Sequence, residues 1–276
     1  MFKAKKWSGL ILILSLTLVF ASCSKNEETS SNGDQLTKND KLVVATSGTL
    51  YPTSYHSDET NELTGFEVEV VREMAKRLEL DVEFVEMGVD GMLTSINSGT
   101  VDLAANDMDI TDEREEKFQF TIPYKHSYGS AIVRADDLSG IKTLEDLKGK
   151  KAAGASTTVY MEIARKYGAE EVIYDNVTND QYLRDVGIGR TDVILNDFYL
   201  QSLAIAAFPD LGVIIHPDLF YFPNAQAMIM KKDNKELLEK INPVIQEMLD
   251  DGTISELSKQ FFSGADVSQK PDIDFE

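Results

Sequence analysis

One stretch of this chain occurs twice. Gly99-Thr100-Val101-Asp102-Leu103-Ala104-Ala105-Asn106-Asp107 can be laid on Gly189-Arg190-Thr191-Asp192-Val193-Ile194-Leu195-Asn196-Asp197, with Gly, Asp, Asn and Asp matching at a constant offset of 90. In each copy three apolar residues follow the first Asp, the pattern of a short buried strand. Turn chemistry alone can produce one such match, so the order of the flanking segments matters. Leu42–Ala45 reads as a strand, Phe66 to Leu78 as an amphipathic helix, Val82–Val85 as a strand, Met92–Asn97 as a short helix and Val101–Ala105 as a strand. The same alternation restarts with strand Lys150–Ala155, helix Val159–Tyr167, strand Val172–Tyr174, a helix around Gln181–Gly187 and strand Asp192–Leu195. Such alternation predicts a mostly parallel, helix-covered sheet in each half. The expectation is two similarly built α/β lobes. Ligands of open α/β sheets sit beyond the carboxyl ends of strands, so two facing lobes place Asp107 and Asp197 at one cleft.

The ends of the chain read differently. Lys3, Lys5 and Lys6 precede an apolar run, Leu10–Phe20, that is too short for the ~20 residues a spanning helix needs. Ala21 and Ser22 follow, then Cys23, the single cysteine of the chain. A charged start, a short apolar stretch and small residues before a cut describe an export signal over residues 1–22. The Cys directly after the small pair resembles a bacterial lipobox, although Phe20 departs from the usual Leu. That resemblance implies that Cys23 becomes an acylated (diacylglycerol and palmitate) amino terminus held on a membrane surface. Residues 23–40 are polar and read as a flexible tether. A C-terminal helix carries Leu237, Leu238, Ile241, Val244, Ile245 and Met248 on one side, with Pro243 expected to kink or restart it and Gly252 to end it.

Composition narrows the function. Apolar residues are 42% and charged residues 27%, which excludes a chain disordered throughout. The net charge is −20, and loss of the leader's three lysines takes it to −23. Such acidity excludes a nucleic-acid partner. One cysteine allows neither an internal disulfide nor a Cys-based zinc site. His56, His126 and His216 form no zinc motif, and no phosphate-binding, dinucleotide or nucleophile-elbow element is present. A calcium loop starting at Asp107 fails, because Asp112 stands where Gly is needed and Phe118 where Glu is needed.

What remains suits a zwitterion. Arg114 lies just past the Asp107 strand and can hold a carboxylate bidentately, or pair with a nearby acid. Ser156-Thr157-Thr158 opens a helix, where hydroxyls and N–H groups cap the helix or receive an anion. Asp197 is either an ammonium acceptor or an ordinary loop acid.

These segments together resemble the bacterial extracellular solute-binding proteins of family 3, amino-acid receptors of ABC importers. The resemblance runs from about Lys41 to Ser263. It rests on Gly65-Phe66-Glu67-Val68-Glu69, Ile110-Thr111-Asp112-Glu113-Arg114, Phe120-Thr121-Ile122-Pro123-Tyr124, Leu144-Glu145-Asp146-Leu147-Lys148-Gly149-Lys150 and Asp251-Gly252-Thr253. It implies an α/β, periplasmic-binding-protein-like fold of type II, two α/β lobes joined by two hinge strands. The lobes would be residues 41–127 with 224–264, and 128–223, followed by a polar tail over 265–276. Hinges would lie near Lys125–Gly129 and Phe220–Asn224. By the same resemblance Arg114 binds the ligand α-carboxylate, Asp197 its α-ammonium, and Thr157 or Thr158 adds the second lobe's contact. Tyr51 and Val89 would line the side-chain pocket. The sequence departs from the family at Asp107 and Asp109, usually small or neutral, and at Leu50, often aromatic. Three acids against one Arg imply a ligand with an extra cationic or amino group, a basic amino acid or cystine. The implied partners are an amino acid, an ABC permease and the membrane through the lipid anchor. The implied protein is a monomer without cofactor, extracytoplasmic and not an enzyme. The alternatives are a cyclohexadienyl-dehydratase-like enzyme, with Asp109 as general acid, or an amino-acid sensor on the same fold.

Overall fold

The computed structural model describes residues 41–174 and 177–272. The leader, the tether and Cys23 lie outside the described residues. The chain opens with strand β1 (Lys41–Thr46), then a three-stranded meander of β2 (Thr49–Leu50), β3 (Ser54–His56) and β4 (Leu63–Thr64). Helix α1 (Phe66–Arg77) buries Phe66, Val70, Val71, Met74 and Ala75 at the spacing that identified it. Its entry needs glycine: Gly65 has φ 128°, and a Cβ there would lie 2.4 Å from the Thr53 carbonyl oxygen. Strand β5 (Asp81–Glu86), helix α2 (Val89–Ser98), strand β6 (Leu103–Ala104), helix α3 (Asp112–Lys117) and strand β7 (Phe118–Phe120) follow.

Strand β8 (Lys125–Arg134) carries the chain into the second lobe, built from β9 (Lys151–Gly154), α4 (Val159–Lys166), β10 (Glu170–Ile173), α5 (Asn179–Gly187), β11 (Ile194–Asp197) and α6 (Phe198–Ala207). Strand β12 (Val213–Gln226) brings it back, and β13 (Ile229–Lys231), α7 (Lys235–Asp250) and α8 (Thr253–Phe261) complete the first lobe. The first lobe's sheet has the order β5-β1-β6-β13-β7. Its core joins Leu42, Val44 and Leu103 to the buried faces of α1, α2, α7 and α8. The second lobe packs Val133, Ile141, Leu147, Val159 and Val193 in one cluster, and Ile132, Leu183, Val186 and Val213 in another.

The sheets are less parallel than the alternation predicts. β1 pairs in parallel with β5 and β6, and β9 with β10. The pairs β13–β6, β13–β7, β11–β8 and β12–β8 are antiparallel. The reason is topological: the chain crosses to the second lobe on β8 and returns beside it on β12, so those two run in opposite directions.

The repeated stretch proves to be a structural repeat. Gly99 and Gly189 both adopt the left-handed conformation, φ 71° and 72°. The Val43 N–H donates to Asp102 at 2.8 Å, and the Lys151 N–H donates to Asp192 at 2.9 Å. In both lobes the first Asp thus holds the backbone of a neighbouring strand. Two expectations need correction. Helix α7 runs unbroken through Pro243, because Leu237, Ile241, Ile245 and Met248 bury one continuous face that outweighs the single missing N–H bond. The start of the segment read as a polar tail is docked: Val267 is fully buried, its N–H donates to the Ser258 hydroxyl, and the His126 N–H donates to its carbonyl.

Candidate functional site

A partly open hollow of about 130 Å³ lies between the lobes. Its polar lining includes Ser47, Asn106, Asp107, Asp109 and Asn196 from strand ends and the turns after them, and Arg114 from α3. The rest is largely apolar or aromatic, with Leu50, Val89, Met108, Leu195 and Leu200 beside Tyr160, Tyr174 and Tyr182. Both Asn residues of the repeat therefore meet in one cavity.

Arg114 is 7% exposed. It sits in α3, whose N-cap Thr111 accepts from the Arg114 N–H at 3.2 Å. The guanidinium donates to the Asp109 carbonyl at 3.0 Å and, across the cleft, to the Thr157 carbonyl at 2.8 Å. Among the described residues no ion pair engages Arg114, so the alternative of a helix-end salt bridge is not what the sequence builds here.

The acids are organised by a lysine. Lys125, at the start of β8, is fully buried, with Nζ 2.9 Å from Asp107 and 2.7 Å from Asp197. The two Asp residues of the repeat thus share one cation. Burial alone would push the Lys125 pKa down, but the two carboxylates win and hold it above its ordinary value. Asp197 also caps α6, accepting from the Leu200 N–H at 2.9 Å, and takes a longer bond from Gln226 at 3.4 Å. Glu67 lies behind Asp107, accepting from the Asp107 N–H and the Tyr124 hydroxyl. Burial, reinforced by Asp107, raises Glu67 to about 7. Burial raises Asp107 to about 6 against the pull of Lys125. Asp109 is raised furthest, to about 8, by burial and then Asp107; its carboxylate accepts from the neutral Gln226 amide at 3.0 Å.

A separate contact spans the cleft. Asp90, in the first turn of α2, accepts from the Ser156 hydroxyl at 2.8 Å and from the Thr157 hydroxyl, both in the loop opening α4.

The sequence-predicted site residues divide accordingly. Arg114, Asp107, Asp109, Val89 and Thr158 line the hollow. The Thr158 hydroxyl is engaged locally, donating to the Ala155 carbonyl and accepting from the Met161 N–H. Thr157 does not line it, since its hydroxyl is turned to Asp90 and its carbonyl to Arg114. Tyr51 is 38% exposed, edge-on to Tyr55, and its neighbour Leu50 lines the hollow instead. Asp197 is wholly buried beneath the hollow, outside its lining. The expected excess of acid is also smaller than counted, because Lys125 neutralises part of it. Sequence reasoning missed Lys125, Asp90, Gln226 and the tyrosines. Asn106 and Asn196 were visible in the repeat without an assigned role. Among the described residues no cluster of His, Cys, Asp and Glu could hold a metal ion.

Comparison with known proteins identifies the family and the fold. The family model of bacterial extracellular solute-binding proteins, family 3, matches residues 42–264. The probable ABC transporter extracellular-binding protein YckB of Bacillus subtilis is 65% identical over 266 residues, covering 95% of this chain and 93% of that one. Its crystal structure superposes with a TM-score of 0.67, at 70% identity over 85% of this chain and 94% of that one. The L-cystine-binding protein TcyA of Bacillus subtilis is 32% identical, covering 95% of this chain and 98% of its own. An ancestral arginine-binding protein solved with arginine bound has a TM-score of 0.73 at 29% identity, covering 81% and 98%.

Proposed function

This chain belongs to the bacterial extracellular solute-binding proteins, family 3, and we propose that within that family it captures a cystine-like amino acid. The family sets the coarser role: a two-lobed, type II receptor that binds amino acids outside the cytoplasm for an ABC transporter. The observation that carries the finer reading is the lining of the hollow. Arg114 stands at its polar side next to Asp109, whose carboxyl has no ion-pair partner among the described residues. Arg114 takes the α-carboxylate through parallel charge-assisted bonds, and the acid side takes the amino group. Beyond them Leu50, Val89 and Leu200 with Tyr174 and Tyr182 offer an apolar and aromatic surface. That surface suits a neutral, polarizable disulfide better than a second fixed charge. The second head group of cystine lies toward the solvent opening.

Calorimetric titration with L-cystine, L-arginine, L-methionine and L-glutamine tests this. L-cystine binds one-to-one and tighter than L-arginine; the reverse order overturns the ligand while leaving the amino-acid role in place. Binding proceeds by closure, since only a ligand touching both lobes favours the shut form. We further propose that Cys23 carries the lipid anchor and that the protein works as a monomer beside its permease. Loss of radiolabelled palmitate incorporation in Cys23→Ser checks the anchor. The protein binds without turnover in this reading. An enzyme is the second reading: the burial of Asp109 raises its pKa to about 8, the direction a general acid needs. Product from a cyclohexadienyl acid would establish that reading.

A further inference from the structure

The ammonium-binding side of the hollow already contains an ammonium. Lys125 Nζ lies between Asp107 and Asp197 at 2.9 and 2.7 Å. Asp197 has both oxygens engaged: Oδ1 accepts from the Leu200 N–H at 2.9 Å, and Oδ2 accepts from Lys125. It is wholly buried and does not line the hollow. Asp107 lines it but is paired with the same lysine. Asp109 differs on both counts. Asp109 lines the hollow, and the hydrogen-bond donor to its carboxyl is the uncharged Gln226 side chain at 3.0 Å. Arg114 is next to it but donates to its backbone carbonyl.

We infer that Lys125 determines specificity as a built-in ammonium: it occupies the Asp107–Asp197 pair, so the amino group of the ligand is received by Asp109. This rests on the amino-acid reading above and assigns the charge partners within it. Electrostatics agree with the geometry. Asp107, Asp197, Lys125, Arg114, Tyr160 and Tyr221 are the charged and titratable groups that interact with Asp109, and with burial they leave its carboxyl protonated at neutral pH, near 8. An arriving ammonium at hydrogen-bond distance favours the ionised form, so binding expels the Asp109 proton to solvent. The balance is simple: one N–H···O bond forms, and one proton leaves the carboxyl for buffer.

The test is calorimetry of the purified protein with L-cystine and L-arginine at pH 7, in two buffers of different ionisation enthalpy. The wild-type protein releases about one proton per molecule bound. Asp109→Asn releases none and binds about ten- to a hundredfold more weakly, the loss expected for a charge-assisted bond. Asp197→Asn still releases the proton and loses less affinity than Asp109→Asn. Should that variant fail to fold, the buffer comparison of wild type with Asp109→Asn decides alone. No proton release by the wild type, or an Asp109→Asn variant that binds as well as wild type, overturns the inference while the amino-acid reading stands. No heat from either amino acid would bring down that reading and this inference with it.

Discussion

Arg114 and Lys125 are the two cations of the site, and their environments give them opposite duties. Arg114 donates to two carbonyls and keeps its charge unpaired at the edge of the hollow. If Arg114 anchors the α-carboxylate as proposed, Arg114→Ala leaves that group desolvated. The expected cost is about 3–5 kcal/mol, a loss of a hundredfold or more in affinity by calorimetry, with a change under threefold dismissing the assignment. Lys125 is fully buried and spends its charge on Asp107 and Asp197. Lys125→Met leaves two buried carboxylates without a cation, and thermal unfolding is expected to show a loss of about 3–5 kcal/mol; an unchanged melting temperature would mean the bridge is idle. The sequence displayed the acids of this site but not their pairing. Asp107 and Asp197 were visible as matching members of a repeat, whereas Lys125 is 72 residues from Asp197 and meets it only in the folded chain, at the start of β8.

At the scale of elements, the crossing strands carry most of what the fold adds to the sequence. Gly129 on β8 faces the ring of Tyr221 on β12, and a Cβ there would come within 2.4 Å of it. The ring is held by its hydroxyl, which donates to the Ser130 carbonyl at 2.9 Å. Gly129→Ala should therefore cost about 1–3 kcal/mol of stability in thermal unfolding, as overpacked sites do. The α2–α4 contact has a different test. Asp90→Ala removes two hydrogen bonds that join the lobes. Small-angle scattering should then show a larger unliganded particle, and amino-acid affinity should fall about tenfold as the shut form loses population. An unchanged radius with unchanged affinity would show that the contact does not govern closure. Helices α1, α2, α4 and α5 were legible because apolar spacing is local information. The antiparallel pairing of β8 with β12 was not, since nothing within either segment specifies a partner about ninety residues away.

For the molecule as a whole, the buried acids set the pH response. Glu67, Asp107 and Asp109 are raised in the folded state to about 7, 6 and 8, from 4.5, 3.8 and 3.8. A carboxyl raised on folding contributes stability that is complete below its unfolded pKa and is lost as pH climbs through the folded one. Stability of the unliganded protein should thus rise on acidification from pH 8 toward pH 6, read as melting temperature. His126 opposes this, because burial lowers its pKa and its share is lost as the solution turns acid. A melting temperature that falls steadily from pH 8 to 6 would contradict the assignment of these acids as protonated. The architecture itself was largely legible, because a repeat with alternating elements leaves few topologies open; the docked end at Val267 was not, since a single apolar residue in a polar stretch makes no pattern. One consequence follows from the lysine at the crossing. Its two carboxylates belong to different lobes, so gaping must strain a dry ionic clasp near the pivot. The expected outcome is a receptor that parts its jaws seldom, read as slow dissociation of its cargo in stopped-flow release.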